Sequence, residues 1–343
     1  MSLTPPLACA LIGTGMVAGT HVAAIKASDR VTLKGVTART PENARSFAKD
    51  HGVEVYADVA AIAADPDIHF AIIVTPPNAR LDLIEPLAKA GKPILLEKPV
   101  ARDGNEAEQV VTLCENAGVK LGTVFQHRMR EASKKAAELV TSGTLGALGV
   151  AEITVPWWRE QAYYDEPGRG TYARDGGGVL ISQAIHTLDL ALSLTGPVAS
   201  VQAMTATSRF HTMEAEDFAT AGLRFANGAI GSLVASTASF PGGAETITLH
   251  FDKASLHLGS GILSVNWRNG EIETFGASAT TGGGADPMAF THEWHQGIIE
   301  DFADAITEDR DPIVTGRQAL ASHALIDAIT ASSNAGASVE VVQ

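Results

Sequence analysis

The sequence predicts an α/β protein in two parts: a doubly wound parallel sheet in the first third, then an α+β domain with a large, mostly antiparallel sheet. Three observations predict it. Up to residue 124, short and continuously apolar runs alternate with helical stretches, and strands of that kind are buried on both faces between helix layers. The first run, Leu7–Ile12, leads into Gly13-Thr14-Gly15-Met16-Val17-Ala18, a strand-to-helix turn built on paired glycines. From Val198 to Phe275 strand patterns follow one another with turn signals and no helix between them, which implies antiparallel neighbours. At 343 residues two domains are expected rather than one. The division is placed at residue 123, giving 1–123 and 124–343, with two closing helices over 293–334 in the second part.

In chain order, the first part is expected to hold strands at Leu7–Ile12, Thr32–Thr37, Val53–Tyr56, His69–Thr75, Pro93–Glu97 and Val119–Val124. Helices are expected between them at Gly15–Ala27, Pro41–His51, Val59–Ala64, Ala79–Ala90 and Asn105–Asn116. Asp58 and Asn78 carry side chains able to cap a helix start, and Gly91 and Gly118 suit helix stops. The pattern then changes. A helix over Glu131–Ser142 ends at Gly143, a strand runs over Gly149–Trp158, and a polar, aromatic loop reaches Asp175 before a helix at Val179–Leu194. Asn227-Gly228 is a hairpin turn between Ala219–Phe225 and Ala229–Ser236. A glycine-rich loop at Thr281–Ala285, holding Gly282-Gly283-Gly284, precedes closing helices at Glu293–Thr307 and Gly316–Asn334.

Composition narrows the function classes. Apolar residues are 45% and charged residues 19%, enough to build sizeable cores and not the balance of a disordered chain. A formal charge of −14 argues against a nucleic-acid or anionic-membrane partner, because phosphate-rich surfaces attract basic ones. Cys9 and Cys114 are the only cysteines and read as small buried hydrophobes of a reducing compartment. With no basic, apolar leader and no long apolar run, the expectation is a cytoplasmic protein.

Four stretches carry chemistry. The glycine turn lets a backbone approach a pyrophosphate and aims a helix N-terminus at it, so Gly13, Thr14, Gly15, Met16 and Val17 are the expected dinucleotide contacts. The second strand ends on Thr37-Ala38-Arg39-Thr40, where an acid would favour NAD. Arg39 can instead pair with a 2′-phosphate, so the cofactor expectation leans to NADP over NAD. Thr75-Pro76-Pro77-Asn78 forms a rigid loop at the ligand edge of the sheet. Glu97-Lys98-Pro99 places an acid and a cation at the mouth of an apolar strand, where burial is costly. In the second part, Asp175-Gly176-Gly177-Gly178 opens a helix with Ser182, Gln183, His186 and Asp189, of which 182, 186 and 189 share a face. Upstream lie Trp157, Trp158, Arg159, Tyr163, Tyr164, Arg169 and Tyr172, aromatic rings beside arginines that suit sugars and carboxylates. His292 and His295 flank Glu293 with no matched further ligand, so they read as a helix-start surface and no metal is expected.

Together these motifs resemble the Gfo/Idh/MocA oxidoreductases, the group that includes glucose–fructose oxidoreductase and inositol dehydrogenases. The resemblance runs from the turn at Gly13 to Pro312-Ile313-Val314-Thr315-Gly316, nearly the whole chain, and its specific part is Glu97-Lys98-Pro99 with Gly176-Gly177-Gly178 and His186-x-x-Asp189. It implies an NAD(P)-dependent dehydrogenase of a sugar, polyol or sugar acid, with a Rossmann domain first. Lys98 would lie by nicotinamide and substrate, and His186 would act as acid/base. It also implies cofactor contacts at Thr75, Pro76, Asn78, Glu97, Lys98 and Gln126, and substrate contacts at Lys98, Arg128, Trp158, Arg159, Tyr164, Arg169, Ser182, Gln183 and His186. A homo-oligomer built on the outer face of the large sheet is implied too. The chain departs from the family at Ser182, where an aspartate is common four residues before the histidine, and at Arg80, where a histidine is frequent. Phe125-Gln126-His127-Arg128-Met129 stands in place of an asparagine–arginine pattern. Relatives of this fold also include non-catalytic dinucleotide sensors and NAD-dependent glycosidases; retention of both Lys98 and His186 favours the dehydrogenase.

Overall fold

The structure, a computed structural model, describes residues 4–279 and 290–342. The loop expected at Thr281–Ala285 therefore lies outside the described residues. In chain order the elements are β1 Leu7–Ile12, α1 Ala18–Ala27, β2 Val31–Thr37, α2 Pro41–His51, β3 Glu54–Val55, α3 Val59–Ala64, β4 Phe70–Ile73, α4 Leu81–Lys89, β5 Ile94–Glu97, α5 Gly104–Asn116 and β6 Leu121–Val124. There follow α6 Glu131–Thr141, β7 Leu148–Pro156, α7 Gln161–Tyr164, α8 Ile185–Thr195, β8 Val198–Ala206, β9 Phe218–Phe225, β10 Ile230–Ser236, β11 Thr246–Phe251, β12 Ala254–Gly259, β13 Ile262–Trp267 and β14 Ile272–Gly276. The chain closes with α9 Glu293–Thr307, α10 Gly316–Ala335 and β15 Val339–Glu340.

The chain forms two compact units, and they are not the two contiguous segments expected. Unit 1 takes residues 1–101, 105–126 and 291–320; unit 2 takes 102–104, 127–290 and 321–343. The expected assignment of both closing helices to the second domain is thus corrected. Helix α9 belongs to unit 1 because it packs on α1 and sets Phe302 against Phe70, 5.6 Å between ring centroids. The backbone joins it there as well, with Thr123 N–H donating to Val314 O at 3.1 Å.

Unit 1 is a six-stranded sheet in the order β3-β2-β1-β4-β5-β6, every pair parallel. The strand order reverses between β1 and β4, and an open parallel sheet binds ligands at such a point, beyond its carboxyl edge. The inner strands read as unbroken apolar runs because both faces are covered: Leu7, Leu11, Ile72, Ile73, Ile94 and Leu96 have no exposed surface. Asp58 caps α3 as expected, accepting from Ala61 N–H at 2.8 Å. Gly91 and Gly118 end their helices with φ of 71° and 66°, values that glycine tolerates without steric cost. Asn78 does not cap α4. Residues Pro77–Ala79 form a 3₁₀ turn, Arg80 N–H bonds Pro77 O at 3.3 Å, and the α-helix starts only after Arg80. Cys9 and Cys114 are buried and free. Burial pushes both thiols up, Cys114 to about 12, so neither is a reactive thiolate at neutral pH.

Unit 2 is built on a nine-stranded sheet in the order β14-β13-β12-β11-β7-β10-β9-β8-β15. Only β7 and β10 pair in parallel. The Asn227-Gly228 hairpin is present, with Gly228 at φ 90° and Ile230 opposite Arg224. One face of the sheet, with Ala151, Ile153, Leu233, Ile247, Leu249 and Leu256, is buried, and α6 and α8 lie against the sheet. The expected helix at Val179–Leu194 is divided: a π-helical turn occupies Leu180–Ala184 and α8 proper begins at Ile185. Among the described residues no helix is long and apolar enough to cross a membrane.

Candidate active site

In unit 1 the glycine turn sits where β1 ends, at the reversal of strand order. Gly13 has φ 109°, and a Cβ there would meet Val74 at 3.1 Å and Thr75 at 3.2 Å, so the end of β4 requires glycine. Gly15 differs, since a Cβ on it would meet no protein atom within 4 Å. Thr14 is half-buried, Met16 is 53% exposed, and no side chain caps α1 or places an acid in its first turn. At the helix start Ala18 N–H and Thr20 N–H already donate to Gly15 O and Val17 O, each at 3.0 Å, and a pyrophosphate fits against the Gly13–Val17 turn ahead of them. Thr37 is buried at the end of β2 while Arg39 is exposed just beyond it. Pro76 and Asn78 are exposed and Thr75 half-buried on the neighbouring loop, and Gln126 is buried after β6.

Lys98 follows β5 and its backbone is clamped. Its N–H donates to Glu97 Oε2 at 3.1 Å. Arg80, 2% exposed, donates to Thr75 O at 2.8 and 3.1 Å, to Glu97 O, and to Lys98 O at 3.4 Å. The family departure at Arg80 thus ties the β4 loop to the lysine strand. Burial pushes its guanidinium down to about 9, opposed by the charge of Glu97, and it stays protonated at neutral pH. Glu97, expected as a cofactor contact, has its carboxylate turned inward: Oε1 lies 2.8 Å from His21 Nε2 and 3.6 Å from His295 Nε2. Burial raises the carboxyl, but His21 and His295 outweigh it and hold it well below the usual range. His295 is therefore no helix-start surface residue; it is 1% exposed, because α9 turns it toward Glu97 and against His21, ring centroids 5.1 Å apart. The three ligand-type atoms lie within 4.8 Å of one another. Two donors of one tetrahedral ion, each at ~2.1 Å, would stand roughly 3.4 Å apart. The 2.8 Å contact is a hydrogen bond.

In unit 2 the run Gly176-Gly177-Gly178 is explained by protein packing. A Cβ on Gly178 would fall 1.8 Å from Glu216 O, and one on Gly176 2.2 Å from Arg102 O. The close approach expected toward a ligand is made to backbone. Glu216 then caps the helix start, accepting from Gly178 N–H at 3.2 Å and Leu180 N–H at 3.0 Å. Ser182 and Gln183 lie in the π turn, and His186 and Asp189 are buried on α8. Arg128 spends its guanidinium on Asp189, two contacts of 2.7 Å. The ring of His186 is stacked on His127, centroids 4.8 Å apart and planes 25° apart.

The aromatic loop forms a connected set. Arg169 lies over the Tyr163 ring at 4.4 Å, donates to Tyr163 Oη at 3.0 Å and pairs with Glu166 at 2.8 Å; Gln183 Nε2 reaches the same Oη at 3.2 Å. Arg159 is buried between the Trp157 and Tyr163 rings, 5.2 and 5.7 Å from their centroids. Tyr164 shares a hydrogen bond with Thr237 Oγ1 at 2.6 Å, and burial pushes its hydroxyl up. Trp158 stands by Phe210 and the exposed Phe240. Behind it, Asp217 holds His211 at 2.7 Å and His211 Nε2 reaches Arg159 O at 2.8 Å. Glu216, Asp217, His211, His127 and Glu245 escaped the sequence reading. Glu216, His127 and Glu245 are far in sequence from Gly178, His186 and Arg130, and only the fold brings them together, while the nearer His211–Asp217 pair follows no spacing that marks a site.

A glycine turn at the reversal of a parallel sheet, with a lysine clamped on a neighbouring strand, defines a dinucleotide-binding oxidoreductase class. Residues 7–125 match the oxidoreductase family with an NAD-binding Rossmann fold, and residues 133–257 match the GFO/IDH/MocA C-terminal domain. The chain belongs to the GFO/IDH/MocA oxidoreductase family. It is 26% identical over 354 residues to D-apiose dehydrogenase of Rhizobium rhizogenes, covering 97% of this chain and 96% of that one. The WlbA dehydrogenase of Bordetella pertussis, crystallised with NADH and UDP-GlcNAcA, superposes with a TM-score of 0.86 at 26% identity over 99% of both chains. Levoglucosan dehydrogenase with NADH and levoglucosan shares the fold at a TM-score of 0.86 and 24% identity, over 98% of this chain and 100% of that one.

Proposed function

We propose that the protein is an NAD(P)-dependent dehydrogenase that moves a hydride between nicotinamide and a carbon bearing a hydroxyl or carbonyl in a sugar, polyol or sugar acid. The match of both halves to one oxidoreductase family carries this reading, with relatives named for D-apiose and inositol oxidation. The bound nicotinamide supplies the hydride acceptor or donor. Every other step falls to the chain. The Gly13–Val17 turn at the head of α1 holds the pyrophosphate, and Arg39 pairs with a ribose phosphate, which favours NADP. Lys98, its backbone fixed by Glu97 and Arg80, stabilises the alkoxide that forms as hydride leaves. His186 takes the hydroxyl proton and returns it in the reverse direction, a task for which imidazole titrates in the right range. Trp158, Arg159, Tyr164, Arg169, Ser182 and Gln183 shape the substrate site, and Arg128 acts through Asp189 by holding α8. The outer face of the unit 2 sheet joins copies of the chain.

The test is a panel of sugars, polyols and sugar acids with NAD and NADP at equal concentration, read by absorbance of the reduced nicotinamide. Turnover with at least one carbohydrate and a preference for NADP are expected; a strong NAD preference removes Arg39 from its role. On the best substrate, Lys98→Met is expected to keep cofactor affinity and lose about 100-fold or more in kcat. Near-normal turnover of that variant would remove Lys98 from the chemistry.

A further inference from the structure

Resting on His186 as the acid/base, we propose that His127 is a positioning residue that sets how tightly His186 holds its proton. Both rings are buried in unit 2, at 3% and 6% residue exposure, and they lie face to face with centroids 4.8 Å apart. Stacked rings do not point ring nitrogens at each other, so the pair couples by charge and not through a shared hydrogen bond. Two imidazolium rings at that distance repel, so the pair takes its second proton only at lower pH than its first.

The surroundings decide which ring is held in which state. Behind His127, Glu245 Oε1 lies 4.0 Å from Nδ1 and accepts from Arg130 at 2.6 Å, while Oε2 accepts from Trp157 Nε1 at 3.3 Å. Glu245 is 5% exposed, so its attraction for His127 is poorly screened, but Arg130 already offsets much of its charge. On the His186 side, Asp189 is bound on both oxygens by Arg128. One turn before His186 stands Ser182, which carries no charge. Within unit 2, among the described residues, His127 is an ionisable ring stacked on His186, and behind it stands the Glu245–Arg130 pair. Each proton on His127 lowers the affinity of His186 for its own, which keeps His186 available as a base below neutral pH.

The experiment is a pH titration by nitrogen-detected NMR of histidine-labelled protein in four forms: wild type, His127→Phe, His127→Gln and His186→Ala. Removing the neighbouring imidazole is expected to raise the His186 titration midpoint by about one unit in both His127 variants, and His186→Ala raises that of His127 by a similar amount. That reciprocity is the signature, since a role in packing alone lowers melting temperature without it. A His186 midpoint unmoved in both His127 variants, or moved without the reciprocal change, overturns the proposal. Once the panel supplies a substrate, the acid limb of kcat/KM moves with the NMR midpoint. A pH profile unchanged by His186→Ala would instead overturn the acid/base reading and leave the measured coupling intact, so the two failures are told apart.

Discussion

At the scale of single residues, the buried acid beneath Lys98 is the most consequential side chain in unit 1. Burial pushes His295 below its ordinary value of 6.5, against the pull of Glu97 and with the positive neighbours His21 and Lys98 adding to the push. A group depressed in the folded state binds its proton more readily when unfolded. Its contribution is therefore complete above pH 6.5 and is lost as pH falls from there toward the depressed value. Glu97 is depressed as well, so its share is complete above its ordinary value of 4.5 and fades only in stronger acid. Just below pH 6.5 His295 therefore contributes to a decline in which Glu97 takes no part. His295→Leu is expected to cost about 1–3 kcal/mol at pH 7.5 by stripping Glu97 of a partner, and to flatten the fall in stability across that window. Urea melts at three pH values measure it; an equally steep fall in the variant would assign the acid sensitivity elsewhere. The sequence exposed Glu97 and Lys98 through their place after an apolar strand. It hid His295, whose spacing from His292 suggested a surface, because α9 reaches Glu97 only through packing on α1.

Elements were legible wherever pattern and punctuation agree. Strand β1 and helices α2, α3 and α9 fall on the expected residues, with Asp58 capping α3 and Gly52, at φ 71°, ending α2. Agreement failed where side chains set the backbone. The π turn at Leu180–Ala184 follows a capped, glycine-opened start that apolar spacing does not encode, and α4 starts late behind its 3₁₀ turn. The glycines show the same limit, for sequence alone does not separate a glycine kept for a ligand from one kept for packing. Gly178→Ala drives a methyl into Glu216 O and is expected to cost about 3 kcal/mol in denaturant melts. Gly15→Ala meets no protein atom within 4 Å and is expected to leave stability within about 1 kcal/mol while weakening dinucleotide affinity. Calorimetry on the two variants separates the roles, and a Gly15→Ala protein that binds NADP as tightly as wild type would place the pyrophosphate elsewhere.

For the whole molecule, the open face of the unit 2 sheet sets the expectation of self-association. Register places Met204, Thr220, Val234, Thr154 and Thr246 in one row across five strands, and Ser200, Arg224, Ile230, Val150 and His250 in another. Met204, Ile230, Val234 and Val150 are 54, 53, 38 and 36% exposed, a run of apolar side chains that water solvates poorly. Charge is sparse along these rows, although the chain carries −14 overall, so two copies can meet here without stacking like charges. A stable pair needs roughly 800 Å² per partner, so the contact has to extend over several of the nine strands. Light scattering after gel filtration is expected to give a mass of at least two chains. Ile230→Lys with Val234→Lys sets two lysines four residues apart on one strand, where both point outward. That double variant is expected to run as a single chain with an unchanged circular dichroism spectrum, because neither side chain supports the buried face. A double variant that keeps the wild-type mass would move the contact to another surface, and a wild-type protein of one-chain mass would remove it altogether.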